Sequence, residues 1–182
     1  MPYKLIARYS LHALAFGLTA GALWLIVRRL CVRRPLDRRD GLWLAAVIYL
    51  GMLLEIIGLR FGLQAIAPLT RLPRLQPMYT TIEHWHKGPG QFIYHIFGNM
   101  LWFVPVGFFL PRLFPGARPH HALLAGLALS LLVETLQYLL GTGLPDIDDL
   151  LLNTLGAGLG GLAFARGSYR RMENGKWRME ND

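Results

Sequence analysis

Glu134, Gln137, Asp146, Asp149 and Asn153 stand in a stretch otherwise built largely of Leu, Gly and Ala. Carboxylates and amides in such company either do chemistry or hold a structure together. At 100° per residue, Asp146, Asp149, Asn153, Gly156 and Gly160 fall within an arc of about 80° on a helix. One end of this stripe is polar and the other small, so the polar end is expected to face a cavity while Gly156 and Gly160 let a neighbouring helix come close. Asp146 fits equally well as a cap at the helix start, and Asp148, off the stripe, reads as facing headgroups or capping that start. Ser130, Glu134 and Gln137 share one face of the preceding apolar run, and His95 and Asn99 lie one turn apart in the run before that. Glu134 and Asp149 are the pair that could act as acid and base. No nucleophile with a partnered base accompanies them, because Ser130 is one turn from Glu134 and such hydroxyls bond within their own helix. No catalytic residue is therefore assigned. Glu83, His84 and His86, in "EHWH", match no metal-binding spacing, so no metal or cofactor is expected and the segment reads as an interfacial anchor.

The elements that must position these groups are long apolar runs. The 182-residue chain is 53% hydrophobic and 16% charged, with a mean hydropathy of +0.35. Five runs approach the roughly 20 residues that cross a bilayer as a helix: Tyr9 to Val27, Gly41 to Leu59, Ile93 to Leu110, His121 to Leu140, and Ile147 to Ala165. The expected fold is all-α, a polytopic transmembrane helical bundle of about five spanning helices. A row of Ala13, Gly17 and Gly21 marks a packing face on the first. Arg28 and the Arg cluster that follows argue that this first run is a retained helix rather than a cleaved signal peptide. The connection from Arg60 to Gln91 is too long for a bare turn, and a short helix is expected near Thr80 to His86.

The net charge of +8 sits between the apolar runs, which favours membrane lipids as partners and speaks against nucleic acid. Thirteen of the 19 Lys and Arg fall in alternate connections, so the N-terminus is expected outside and the C-terminus in the cytoplasm. That topology places Asn99, Glu134, Gln137, Asp146, Asp149 and Asn153 in the outer half of the membrane, with Glu55 at a similar level. An ionised carboxylate in mid-helix costs roughly 2.5 to 3.5 kcal/mol on insertion scales, so Glu134 is expected to face protein or water. The single cysteine, Cys31, excludes an internal disulfide.

Three segments carry a family resemblance: Asn99, Pro105 and Gly107 in "GNMLWFVPVGFFLP", Ser130, Glu134 and Gln137 in "SLLVETLQ", and Asp146, Asp149, Asn153, Gly156 and Gly160 in "DIDDLLLNTLGAGLG". With "LQPMYTTI" before them, the pattern resembles the VanZ-like family. The resemblance implies a multi-pass protein of the bacterial cytoplasmic membrane, in a family linked to low-level resistance to teicoplanin and related lipoglycopeptides. It divides the chain into an N-terminal two-helix region with an outer loop (1–74), a VanZ-like core of three helices (75–165) and a basic cytoplasmic tail (166–182). The expected role is an effect on how the cell envelope meets such antibiotics, through an outward polar cavity engaging a lipid headgroup or lipid-linked envelope precursor. The alternatives are an intramembrane enzyme acting on such a headgroup and a proton-coupled carrier. Many members carry Arg three residues before the first Asp of the pair, where this chain has Gly143. A cation from Arg60, Arg74 or Lys87 is expected to stand in, near Asp146 or Asp149.

Overall fold

Long apolar runs become long helices because lipid offers no partner for a backbone amide, and a helix satisfies nearly all of its own. The computed structural model describes residues 2–32, 34–59 and 72–179, with side chains described at 11–32, 34–57 and 72–165. These form α1 (Pro2–Cys31), α2 (Arg38–Leu53) with a π-helical continuation (Leu54–Leu59), α3 (Tyr79–His86), α4 (Pro89–Leu113), α5 (Pro119–Leu140) and α6 (Ile147–Met179). The described residues contain no strand, and the fold class is all-α, a helical bundle. Among the described residues, four segments are long and apolar enough to cross a membrane: Leu11–Cys31, Arg38–Ile57, Pro89–Leu113 and Pro119–Leu140. The fifth apolar run is helical too, inside α6, but is not among the four; Asp148 and Asp149 occupy its first turn. Pro105 and Pro111 both lie inside α4.

Internal packing divides the chain into two compact units, Met1–Leu75 with Leu131–Asp146 and Gln76–Ser130 with Ile147–Asp182. In the first, α1 meets α2 along its small-residue row: a Cβ on Gly17 would stand 2.6 Å from the Ile48 carbonyl oxygen, and one on Gly21 2.6 Å from Ile48 Cγ1. At the end of this pair Arg28 grips Asp40 through two bonds, Nε to Oδ1 at 2.9 Å and Nη2 to Oδ2 at 2.8 Å. The planar guanidinium matches the carboxylate, and both groups are buried. Asp37 and Asp40 close a capping box at the start of α2, each side chain accepting the other's backbone N–H. The Asp40 N–H, then Arg34, hold the Asp37 carboxyl below the usual carboxylate range. The stabilisation from this shift is present above the ordinary carboxylate pKa and is lost as pH falls through the lowered value. The end of α5 belongs to this unit and stops at Gly141, whose φ of 65° is the left-handed conformation that closes a helix.

In the second unit α4 and α6 approach backbone to backbone. A Cβ on Gly107 would meet the Ala157 carbonyl oxygen at 1.8 Å, one on Gly156 the Met100 oxygen at 2.1 Å, and one on Gly160 the Val104 oxygen at 1.9 Å. Only glycine fits these three places. The first half of α5 lies against α6 at Gly126 and Ala157.

Candidate functional site

α3 starts without a capping side chain of its own: its N-cap is Met78, at φ 65°. The acceptor comes from the first turn of α6. Asp148 Oδ1 accepts the Met78 N–H at 2.6 Å, and Oδ2 accepts the Thr81 N–H at 2.9 Å and the Thr81 hydroxyl at 3.0 Å. Asp148 is 3% exposed, so burying its charge is tolerable only because these donors replace water. The sequence reading placed Asp148 toward headgroups or at its own helix start; the structure gives it to another helix.

The hydrogen bonds continue from Thr81. Its hydroxyl lies 3.3 Å from His95 Nε2, while His95 Nδ1 lies 3.5 Å from Asn99 Nδ2. Because the Thr81 proton goes to Asp148, the Thr81 oxygen can only accept from His95, which puts a proton on Nε2. Nδ1 then faces the Asn99 amide, which can donate to it. The other Asn99 hydrogen goes to Asp149 Oδ1 at 2.6 Å, and His95 Nδ1 stands 3.6 Å from the same oxygen. His84 stacks on His95 with ring centroids 4.6 Å apart and an interplanar angle of 8°. His84 is itself tied down, Nδ1 to the Thr80 carbonyl at 2.8 Å.

Neighbours in sequence thus have opposite surroundings. Asp149 keeps 28% of its side chain exposed beside a 6% exposed His95, making it the more exposed carboxylate of this network. A hydroxyl, an imidazole and a carboxylate follow one another here, yet they form no nucleophile relay, since Thr81 directs its proton to Asp148 rather than to His95. The arrangement is suited to holding Asp149 in one orientation and to receiving a donor or a cationic group there.

Asn153, 1% exposed, donates from Nδ2 to Ser130 Oγ at 2.9 Å and links α6 to α5. Its Oδ1 is buried without a hydrogen-bond partner among the described residues.

Glu134, Gln137 and Asp146 belong to the first unit and serve the backbone. Glu134 Oε2 accepts the Asp146 N–H at 3.0 Å. Gln137 Nε2 donates to the Ile57 carbonyl at 2.7 Å, in the π-helical segment that also holds the buried Glu55. Asp146 lies just outside α6, in a short parallel bridge with Arg74, whose N–H reaches the Pro145 carbonyl at 2.8 Å. The seven polar residues singled out in the sequence are therefore shared between the units, Asn99, Ser130, Asp149 and Asn153 in one and Glu134, Gln137 and Asp146 in the other. Of the expected stand-in cations, Arg60 lies outside the described residues, Lys87 pairs with Glu83 at 2.6 Å, and the Arg74 main chain runs beside Asp146. Gly143 sits over Gln137, where a Cβ would meet Oε1 at 3.1 Å. Sequence reasoning missed Thr81 and the cap it receives. The signal was there, in a short helix with no Ser, Thr, Asp or Asn at its N-cap, which has to find an acceptor elsewhere.

Residues 43–167 match the VanZ/LLP1 family model, which is more than half of the chain and takes in every residue of both polar groups. No curated protein and no solved structure matches it.

Proposed function

The chain belongs to the VanZ/LLP1 family, and from that premise we propose that it is a multi-pass protein of the bacterial cytoplasmic membrane that alters the envelope's response to glycopeptide-type antibiotics. In this reading Asp149, steadied by Asn99 and His95, engages the polar headgroup of a membrane lipid or a lipid-linked envelope precursor. The observation that carries it is the contrast between two adjacent carboxylates. Asp148 is enclosed and accepts from the Met78 and Thr81 amides and the Thr81 hydroxyl, whereas Asp149 accepts a short bond from Asn99 and keeps 28% of its side chain exposed. Ionisable groups are expensive inside a membrane protein and mark function when their role is not structural. With the apolar first half of α6 counted as a fifth span, the arginine distribution supports an N-terminus outside and a C-terminus in the cytoplasm.

The test is expression in a susceptible host, with teicoplanin susceptibility and the amount of protein in the membrane measured together. Wild type is expected to shift susceptibility, and Asp149→Asn to return it to the empty-vector level at an unchanged amount of protein. An unchanged shift in the variant would remove Asp149 from the function. No shift with wild type would remove the antibiotic reading.

A further inference from the structure

α1 ends in a cavity of about 680 Å³, walled by Arg28, Arg29 and Arg34 together with Leu25, Val32 and Leu36. We infer that this cavity is a binding site for the phosphate headgroup of an anionic phospholipid, with Arg29 and Arg34 as its donors. Three observations lead there.

Arg28 is fully engaged, with Nε and Nη2 on Asp40 and Nη1 on the Val32 and Arg34 carbonyls at 2.9 and 3.4 Å. It braces the wall and leaves binding to its neighbours. Arg34 gives Nη1 to Asp37 and Asp40, and no ion-pair partner is found for Arg29 among the described residues. Asp37 and Asp40 thus balance Arg28 and Arg34, and Arg29 is left as uncompensated positive charge on the cavity wall. Phosphate oxygens suit the planar fork of arginine.

The position supplies the second observation. The apolar segment Leu11–Cys31 is long enough to cross a membrane, and the cavity opens at its end, where headgroups lie. Leu23, Ile26, Val27 and Leu30 are exposed on α1 just before it, so acyl chains can run along the helix while the headgroup enters. Third, the volume lies within the roughly 300 to 1,000 Å³ of small-molecule sites. A choline headgroup would bring an ammonium against this cationic wall, so the site favours lipids of net negative charge. The cavity residues precede the family-matched segment, and the inference does not rest on the function proposed for Asp149.

The experiment uses the full chain purified in neutral detergent, titrated with phosphatidylglycerol, phosphatidylcholine or inorganic phosphate, with bound molecules counted by native mass spectrometry. Wild type should retain phosphatidylglycerol over phosphatidylcholine. The double variant Arg29→Gln, Arg34→Gln should weaken that retention about tenfold to thirtyfold. Arg29→Lys, Arg34→Lys, which keeps the charge and loses the fork, should recover only part of it, and Arg118→Gln, remote in sequence, should leave it unchanged. Equal retention of the two lipids, or an equal loss with Arg118→Gln, would overturn the site. Retention of inorganic phosphate without the lipid would overturn the lipid assignment. The unfolding temperature of each variant is recorded alongside, and a loss of retention that tracks a fall in that temperature also counts against the site.

Discussion

Between α1 and α2 the closest approach is made at Gly17, Gly21 and Gly51; between α4 and α6 it is made at Gly107, Gly156 and Gly160. The obstacles differ. Around Gly21 a new Cβ would meet only side-chain carbons of Ile48 and Leu44, whereas all three glycines of the α4–α6 contact face main-chain oxygen within 2.1 Å. The polar groups differ as well. The α1–α2 pair keeps its buried ion pair at one end, Arg28 with Asp40, while α4 and α6 carry His95, Asn99 and Asp149 about two to three turns before their glycines. Helices in lipid have no hydrophobic driving force between them, so their association draws on van der Waals packing at close backbone approach and on hydrogen bonding. In α4–α6 the glycines also fix the separation at which Asn99 reaches Asp149 at 2.6 Å, so one device supports both the packing and the site.

The largest effect should follow from breaking that device. Gly107→Ala places a methyl 1.8 Å from the Ala157 carbonyl oxygen, a clash only backbone movement can relieve. A loss of about 3 kcal/mol or more is expected, read as a collapse of the thermal unfolding temperature in detergent. Near-wild-type stability would show that α4 and α6 need not touch. Next comes Asp148→Asn, which removes the charge from three hydrogen bonds and should cost about 2 kcal/mol. Its signature is faster hydrogen exchange at the Met78 and Thr81 amides, and unchanged exchange there would sever α3 from α6. The smallest effect belongs to the α1–α2 pair. Gly21→Ala asks only Ile48 and Leu44 to shift, and about 1 kcal/mol is expected. A loss as large as that of Gly107→Ala would erase the distinction between the two contacts.

What the sequence made legible follows period and composition. Apolar length picks out the four segments that, among the described residues, are able to span a membrane and adds a fifth, in α6, that is not one of them; Gly17 and Gly21 of the small-residue row face α2, and the short helix near Thr80 is α3. Periodicity also aligns Asp149 with Asn153, but it extends the stripe to Asp146, which lies before the helix and has its N–H held by Glu134. A helical wheel has no means of seeing that a carboxylate serves a main-chain amide 12 positions away. The same blindness hid the role of Asp148, because its partners come from a segment read as a connection. Counting arginines for topology likewise passed over the pairing of Arg28 with Asp40 across the turn between two helices.

The cap on α3 has a consequence in time. Its eight residues are too few to hold a helix in isolation, and the acceptor that stabilises its first turn lies 67 to 70 positions further along the chain. A ribosome releases Thr81 well before it makes Asp148. Throughout that interval the segment must wait in another conformation, and its order then announces that the last helix has arrived. A truncation ahead of Asp148 would leave the earlier helices to insert and the announcement never made.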